Sequence, residues 1–240
     1  MLSKKKIIAI LCAYNEEGKI GSAISKIPKF TDCILVVDDG STDNTANEIR
    51  ESFSKVENIK THLIQNPVNK GVGCALRSAM AYAVDEKYDF VYIFGGDDQY
   101  DPDDIIKLVQ PLLKGYDLVK GSRYLEIKQK IPLFRKLTTK MFSLFFNLAT
   151  GSKITDASEG LRAFKIKVAT EIDFTPSYLD RYELEPYMLI EAVKKGYKIL
   201  EVPIDKIYDV EKGYSKMVPL VSWYSITKPI LREILRLNWK

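Results

Sequence analysis

Short apolar runs alternate with amphipathic stretches through the first half of the chain. Each run ends in a polar turn, and the stretch that follows repeats its apolar residues near the 3.6-residue period of an α-helix. Repeated strand–helix units of this kind predict a parallel sheet that is covered by helices on both faces. The predicted strands span 7–13, 33–37, 60–65 and 90–94, and the predicted helices span 19–27, 44–52 and 71–84.

The pattern becomes less regular after about residue 121. Neither an internal repeat nor a low-complexity tract nor a flexible linker divides the chain, so we expect one fused α/β domain over residues 1–210. Its second half is predicted to contain an apolar helix within 128–150, a short strand over 161–164, a helix over 183–195 and an edge strand over 198–203.

Composition describes an ordinary globular protein of mildly basic charge. The 240 residues are 46% hydrophobic and 28% charged, which supplies enough apolar material for a full core. The net charge of +4 is too small to indicate nucleic-acid binding, but it is compatible with anionic substrates or lipid headgroups. With one histidine and three cysteines in the chain, a histidine-based triad or a zinc site is hard to assemble.

The sequence predicts neither secretion nor a membrane-spanning helix. Lys4 to Lys6 precede an apolar run that is too short for a secretory signal, and no stretch reaches the roughly 18 apolar residues of a spanning helix. Cys12, Cys33 and Cys74 are scattered singly, which indicates free thiols in a reducing compartment. We therefore expect a cytoplasmic protein.

Acidic side chains follow two of the predicted parallel strands. Asp38 and Asp39 come after the second strand, and Asp97, Asp98 and Gln99 come after the fourth. Ligands of open α/β sheets bind outside the carboxyl ends of the strands, and oxygen donors there suit Mg²⁺ or Mn²⁺ bridging to a diphosphate. Alternatively, the second cluster is a turn that caps the next helix. In a parallel sheet the two clusters share one cleft, which predicts a site for a sugar nucleotide.

Seven short motifs occur in order along nearly the whole chain. They are AYNEE (13–17), VVDDGSTD (36–43), NKGVGCA (69–75), GGDDQYDP (95–102), GSR (121–123), TDASEGLR (155–162) and EVPI (201–204). In this order they resemble the motifs of the inverting family 2 glycosyltransferases, and most of all the branch of dolichyl- or polyprenyl-phosphate mannose or glucose synthases. The resemblance implies the GT-A fold, a Rossmann-like, mostly parallel mixed sheet flanked by helices.

The resemblance also implies a donor site in residues 1–125, which binds GDP-mannose or UDP-glucose together with Mg²⁺ or Mn²⁺. Catalytic roles fall on Asp97, Asp98 and Arg123. The implied metal ligands are Asp97, Asp98 and Gln99, and the implied nucleotide-binding residues are Ala13, Tyr14, Asn15, Glu16, Asp38, Asp39, Lys70 and Asp97.

Two positions depart from the family pattern. Ala13 stands where proline is usual, and Gly95 stands where the Asp-x-Asp metal motif usually has its first aspartate. Asp97 then corresponds to the second aspartate, and Asp98 is an additional carboxylate. We interpret Gly95 as a change in ribose or metal geometry, with a weakened or inactive enzyme as the alternative.

A lipid phosphate acceptor, which the resemblance assigns to residues 126–210, needs no general base because it is already anionic. Catalysis then depends on aligning the phosphate with the anomeric carbon and on metal neutralisation of the departing diphosphate. Direct displacement inverts the anomeric centre, and arginine is suited to hold the phosphate. The implied acceptor-binding residues are Arg123, Arg135, Thr139, Asp156, Arg162, Ser215 and Lys216.

Several of these residues have simpler alternative roles. A solvated run of charge explains Arg135, structural ion pairs explain Asp156 and Arg162, and an exposed turn explains Lys216. The resemblance also implies one acidic residue that approaches the acceptor, and Glu183 and Glu185 are both candidates for it. Alternatively, they only favour the N-terminal dipole of the helix that they precede.

The segment 211–240 is predicted to form a loop and an amphipathic helix. Apolar residues between Trp223 and Leu237 recur at largely helical spacing, with basic residues between them. This pattern suits a helix at a membrane interface, and packing on the domain explains it equally well. We therefore expect peripheral association with the cytoplasmic face of a membrane, through its surface or a membrane partner protein.

The leading hypothesis is a metal-dependent transferase that moves a hexose from a nucleotide sugar to polyprenyl or dolichyl phosphate. A second hypothesis keeps the donor and replaces the acceptor by a hydroxyl of a glycan or lipid-linked saccharide. That hydroxyl needs a general base, so a carboxylate beside the donor would favour it. A third hypothesis, prompted by Gly95, is a sugar-nucleotide-binding protein without catalysis.

Overall fold

The structure is a computed structural model that describes residues 5–126, 131–206 and 221–235. Its strands are β1 (Ile7–Ala13), β2 (Cys33–Asp38), β3 (Lys60–Gln65), β4 (Phe90–Ile93), β5 (Leu118–Ser122), β6 (Arg162–Lys165) and β7 (Ile199–Pro203). Its helices are α1 (Ile20–Ser25), α2 (Thr45–Phe53), α3 (Val72–Asp85), α4 (Asp103–Leu113), α5 (Leu133–Thr150), α6 (Lys167–Glu171), α7 (Leu184–Lys194) and α8 (Val221–Ile234), with a short 3₁₀ turn at Ser177–Leu179.

The strands form one seven-stranded mixed sheet in the order β3-β2-β1-β4-β6-β5-β7. Strand β6 runs antiparallel to both of its neighbours, β4 and β5, whereas the other pairs are parallel. Because β6 is reversed, its first residue, Arg162, lies beside Ile93 near the end of β4 and Lys120 of β5. The reversed strand therefore brings the motif at 155–162 to the edge of the sheet where the parallel strands end.

Helices cover both faces of the sheet, as the alternation of strands and helices predicts. In β1, Ile8 and Ile10 face one apolar layer, and Ile7, Ala9 and Leu11 face the other. All six residues of β2 are buried. This near-continuous apolar character is what a strand covered on both faces requires.

The glycine-rich turn before α3 packs against another segment of backbone. A Cβ on Gly73 would lie 1.9 Å from the carbonyl oxygen of Leu179, and the Cys74 N–H donates to the Asp180 carbonyl at 2.9 Å. Gly71 adopts a φ of +103°, a conformation that favours glycine. This close approach holds the segment that follows the 3₁₀ turn beside the carboxyl end of the sheet.

The C-terminal helix α8 packs on the domain. Ile226 and Ile230 contact the apolar core, whereas Tyr224, Leu231 and Ile234 are exposed. The predicted helix within 211–240 is therefore present, and its inner face is used for packing. Within the described residues, no helix has the length and apolar content needed to cross a membrane.

Candidate active site

A cavity of about 710 Å³ opens at the carboxyl ends of the parallel strands, a size typical of ligand sites. Asp39, which follows β2, and Asp97, which follows β4, both line it. Two acidic clusters that are separated by more than fifty residues therefore meet in one cleft, as the sequence predicts. Ala13, Tyr14 and Glu16 from the end of β1 line the same cavity.

Asp39 is buried and held in one orientation by three donors. Its carboxylate accepts hydrogen bonds from Asn66 Nδ2 at 2.7 Å, from the Lys70 N–H at 3.0 Å and from the Gly71 N–H at 2.7 Å. Its own N–H donates to the Ala13 carbonyl at 2.8 Å. Lys70 therefore contributes to the nucleotide-binding side of the cavity through its backbone N–H, which holds Asp39. These hydrogen bonds fix the orientation of the Asp39 carboxylate at the wall of the cavity.

Asn15 and Asp38 organise the turn after β2. Asp38 Oδ1 accepts from the Ser41 N–H at 3.0 Å, and Asn15 Oδ1 accepts from the Thr42 N–H at 2.8 Å. Neither belongs to the described side chains that line the cavity. They shape the loop that carries Asp39, and a direct contact with a nucleotide stays a prediction.

The loop after β4 separates the three predicted metal ligands. Asp97 and Gln99 line the cavity, and Asp97 Oδ1 is buried without a hydrogen-bond partner. Asp98 has a φ of +59° and forms an ion pair with Lys26 at 2.6 Å. The positive φ turns the Asp98 side chain toward the end of α1, so the structure does not bring Asp98 together with Asp97 and Gln99.

The remaining donor set fits a divalent cation that shares its coordination with a substrate. An unpartnered buried carboxylate oxygen needs a cation or a donor, and Mg²⁺ typically takes one or two carboxylates plus substrate phosphates and water. No group of three or more acidic, histidine or cysteine ligands is present within the described residues. Asp97 and Gln99 are therefore the residues that would hold such a cation, completed by a diphosphate.

Gly95 is explained by packing within the same loop. A Cβ at this position would lie 2.6 Å from Asp97 Oδ1 and 3.0 Å from the Tyr100 ring. An aspartate there would displace the carboxylate that lines the cavity. The loop therefore leaves no space for the aspartate side chain that the family pattern usually has at this position.

We expect the substitution Gly95→Asp, which restores the usual motif, to lower metal-dependent activity by about ten-fold or more, since misplaced catalytic groups cost rates of this order. The control is Asn58→Asp, which adds a carboxylate of the same shape at an exposed loop position that does not line the cavity. Initial rates at saturating Mn²⁺ measure the effect. Increased activity of Gly95→Asp would show that the loop accommodates the second carboxylate.

Arg123 lies in a cage of carboxylates at the end of β5. Its guanidinium donates to both oxygens of Asp156, at 2.7 and 2.8 Å, and to Ser158 Oγ at 2.8 Å. Glu159 is a second ionic partner at 3.2 Å. Arg123 lines the cavity but is only 4% exposed, so most of its donors already have partners. Its contact with an acceptor phosphate stays a prediction.

Arg162 is anchored at the start of β6. It donates to the carbonyl oxygens of Glu159, Gly160 and Glu185 and forms an ion pair with the Glu185 carboxylate at 3.2 Å. Asp156 and Arg162 therefore each take part in an ion pair, with different partners. Of the two acidic candidates at α7, Glu185 lines the cavity, whereas Glu183 is buried at the helix N-terminus.

The acceptor candidates on α5 face the cavity together. Arg135 and Thr139 both line it, as expected for residues four apart on one helix. Thr139 Oγ1 donates to the Arg135 carbonyl at 2.7 Å and is hydrogen-bonded to the Tyr124 hydroxyl. Ser215 and Lys216 lie outside the described residues.

One cluster in the cavity was missed by sequence reasoning. Lys206 Nζ donates to the Tyr100 hydroxyl at 2.7 Å and lies 3.8 Å from Glu159. Burial raises the pKa of Glu159, but Lys206, Arg123 and the Tyr100 hydroxyl more than offset this and hold that pKa below its usual range. A backbone β-bridge between Tyr100 and Lys206 also joins the loop after β4 to the segment after β7. No local sequence motif indicates this pairing.

Two cationic side chains in the cavity were also missed. Lys19 precedes α1, and Arg181 follows the 3₁₀ turn; both line the cavity. Arg181 arrives there because Gly71 and Gly73 admit the backbone of residues 179–181. In the sequence, Gly71 and Gly73 indicate that another segment packs closely against this turn. They do not indicate which one, because that segment lies about a hundred residues further along the chain.

Comparison with known proteins agrees with this architecture. Residues 8–173 match glycosyl transferase family 2. A UDP-N-acetylglucosamine–dolichyl-phosphate N-acetylglucosaminyltransferase of Methanococcus voltae is 32% identical over 98% of this chain and 100% of its own. A dolichyl-phosphate hexose transferase of Haloferax volcanii is 28% identical over 95% of this chain and 94% of its own.

Among solved structures, glucosyl-3-phosphoglycerate synthase from Mycobacterium tuberculosis, with Mn²⁺, UDP and glucosyl-3-phosphoglycerate bound, superposes with a TM-score of 0.71 at 21% identity. The match covers 97% of this chain and 80% of that one, and it shows that the two proteins share a fold. The family match extends over more than half of the sequence. The chain therefore belongs to glycosyl transferase family 2 and is a glycosyltransferase of GT-A fold, as the order of its motifs predicts.

Proposed function

We propose that this glycosyltransferase moves a hexose or an N-acetylhexosamine from a nucleotide sugar to the phosphate of a polyprenyl or dolichyl phosphate. The observation that carries the proposal is one cavity that is lined both by Asp97, at the end of β4, and by Arg135 on α5. The relatives from Methanococcus voltae and Haloferax volcanii are named for dolichyl-phosphate acceptors, which supports the same acceptor class.

On the donor side, Asp97 and Gln99 would hold Mg²⁺ or Mn²⁺ against the donor diphosphate, and the cation would neutralise the diphosphate as it leaves. Asp39 is proposed to contact the nucleotide, because its carboxylate faces the cavity in an orientation fixed by the Lys70 and Gly71 N–H groups. Fixed donors and acceptors of this kind need little reorganisation when the substrate binds.

On the acceptor side, the residues of this chain hold and align a phosphate that is itself the nucleophile. Arg135 and Thr139 are proposed to bind it directly from α5, and Arg123, which also lines the cavity, is proposed as a further contact. Asp156 orients Arg123 through two hydrogen bonds. Alignment with the anomeric carbon is the main contribution of these groups, and a single in-line displacement inverts that centre. Ser215 and Lys216 are proposed for the same phosphate.

One observation favours the second candidate, transfer to a saccharide hydroxyl. The Glu185 side chain lines the cavity and is 26% exposed, so it is available as a general base. Arg162 holds it at 3.2 Å. A hydroxyl acceptor would need this base, whereas a phosphate acceptor would not.

Transfer assays with three acceptors test the proposal. GDP-mannose, UDP-glucose and UDP-N-acetylglucosamine are offered with Mn²⁺ to a short-chain polyprenyl phosphate, to the corresponding polyprenol and to a soluble saccharide. We expect product only with the phosphate, and loss of that product with EDTA. Product with the polyprenol or the saccharide, abolished by Glu185→Gln, would favour the second candidate. Nucleotide binding without product from any pair would contradict both.

We also propose that the protein is peripheral at the cytoplasmic face of a membrane, because a polyprenyl phosphate is presented at a bilayer surface. The helix α5, which lines the acceptor side of the cavity, is the element in the best position for this contact.

A further inference from the structure

One face of α5 exposes an uninterrupted apolar surface, called here the α5 apolar face. The seven side chains that form it are between 47% and 82% exposed. At 100° per residue they occupy one sector of about 120° that includes no polar residue of the helix. The residues of the face are Leu133, Phe134, Leu137, Met141, Leu144, Phe145 and Leu148.

The opposite face of α5 is used by the fold. Thr139, Phe142, Ser143 and Phe146 are buried, so packing against the described part of the domain does not account for the second apolar face. The face runs from Leu133 to Leu148, which at 1.5 Å per residue is a length of about 24 Å. An apolar patch that runs nearly the full length of a helix exceeds the scattered exposed residues of an ordinary surface.

Charge and position distinguish among the possible occupants of this face. On a helical projection Lys136 and Lys140 lie along one edge of the apolar sector, and the chain carries a net charge of +4. An apolar sector bordered by lysine is the pattern of a helix that lies in the interface of an anionic bilayer. A second protein surface would more commonly match such a border with its own carboxylates.

The α5 apolar face also adjoins the cavity. Phe134 belongs to the face and lines the cavity, and Arg135, Thr138 and Thr139 continue that lining on the same helix. A bilayer that contacts the face therefore lies next to the proposed acceptor-phosphate residues. This step rests on the proposed function, whereas the exposure and charge of the helix do not.

We infer that the α5 apolar face inserts into the surface of an anionic lipid bilayer and is the principal membrane-docking element of the described part of the chain. Sequence reasoning placed this role on the C-terminal helix. In the structure α8 buries Ile226 and Ile230 in the domain, and its exposed residues add a smaller apolar surface beside α5.

Vesicle flotation tests the inference with a variant and a matched control. The variant is Leu144→Glu with Leu148→Glu, which lie on the face and are not among the described cavity-lining residues. The control is Leu113→Glu with Val68→Glu, which adds the same charge at two exposed apolar residues away from α5. We expect wild type and control to float with equimolar phosphatidylcholine–phosphatidylglycerol vesicles. Partitioning of the variant should be weaker by about ten-fold or more. Binding to pure phosphatidylcholine vesicles should be weaker for all three proteins.

Three results of the flotation and solution experiments would overturn the inference. The first is failure of the wild-type protein to float, and the second is equal flotation of wild type and variant. The third is a wild-type dimer in vesicle-free solution that the variant converts to a monomer, because a second copy would then cover the face. Circular dichroism and thermal unfolding of each protein verify that the glutamates leave the fold intact.

The acceptor assay separates this inference from the proposed function. If both are correct, the variant retains transfer to a water-soluble short-chain polyprenyl phosphate and loses transfer to a long-chain acceptor embedded in vesicles. If the wild type floats but transfers to neither acceptor, docking stands and the proposed function fails. If the variant transfers equally well to both acceptors, the face is not needed for access to the bilayer and docking is overturned.

Discussion

Replacement of Asp97 by asparagine is expected to reduce metal-dependent transfer by at least about a hundred-fold, the scale of losing one electrostatic group at a reacting centre. Asp97 Oδ1 is buried and has no hydrogen-bond partner, and among the three predicted metal ligands Asp97 is the one carboxylate that lines the cavity. Asparagine preserves the shape of the side chain and removes its charge, so binding of Mn²⁺ and diphosphate should weaken together.

The same substitution is expected to leave the ligand-free protein as stable as before, or more so, because the charge of a carboxylate with one buried oxygen that lacks a hydrogen-bond partner is unfavourable for folding. Thermal unfolding with and without Mn²⁺ and nucleoside diphosphate measures both effects. Wild type should be stabilised by the ligands, and Asp97→Asn should not. An unaltered ligand-induced shift in Asp97→Asn would contradict the role of this carboxylate.

Asp98→Asn is the matched control for Asp97→Asn. It makes the same chemical change at the neighbouring residue, where asparagine tolerates the positive φ. The Asp98 carboxylate pairs with Lys26 away from the cavity. We expect its transfer rate to stay close to that of wild type. Equal losses in the two variants would mean that Asp98 turns into the site when substrates bind.

Removal of Asp156 is expected to destabilise the fold by about 3–5 kcal/mol, the cost of leaving one member of a buried ion pair without its partner. Asp156 is fully buried and accepts two hydrogen bonds from the Arg123 guanidinium, at 2.7 and 2.8 Å. In Asp156→Ala, Glu159 remains near Arg123 at 3.2 Å but no longer shares the charge with a bidentate partner. Urea unfolding at neutral pH provides the measurement.

Two further variants make the Asp156 result interpretable. Glu86→Gln removes a carboxylate from the exposed pair with Lys60 and should change stability little, since exposed pairs contribute little. Arg123→Met combined with Asp156→Leu replaces this pair with apolar side chains but leaves the buried Glu159 with Lys206 as its remaining cation, so it should recover only part of the lost stability. If Asp156→Ala unfolds at the urea concentration of Glu86→Gln, the cage is not an important support of the fold.

The Arg123 cage alters how positive charge is distributed in the acceptor half. Asp156 and Glu159 largely neutralise Arg123, so the charge that attracts an incoming phosphate must come mainly from other cavity-lining cations. Within the described residues these include Arg135 and Arg181. Arg123 is then better suited to fix the position of a phosphate than to attract it.

Much of the donor half was predictable because its elements are local. Each strand of the first half is an apolar run, and each acidic cluster follows its strand directly, so chain order places Asp39 and Asp97 at one edge of the sheet. The same reasoning predicted that Arg135 and Thr139 share one face of α5, since they are one helical turn apart, and both line the cavity. Order and periodicity were sufficient for these features.

What the sequence determined by itself is the fold class, the cleft between the two acidic clusters and the family, because these follow from periodicity and motif order. Tertiary structure alone decided which polar groups meet. Lys26, 72 residues away, holds Asp98 outside the cavity, and the reversal of β6 sets Arg162 beside β4 and β5. The tertiary structure also decided which apolar face of α5 packs on the domain and which stays exposed. Side-chain direction and partner choice depend on distant elements, and a linear pattern does not contain them.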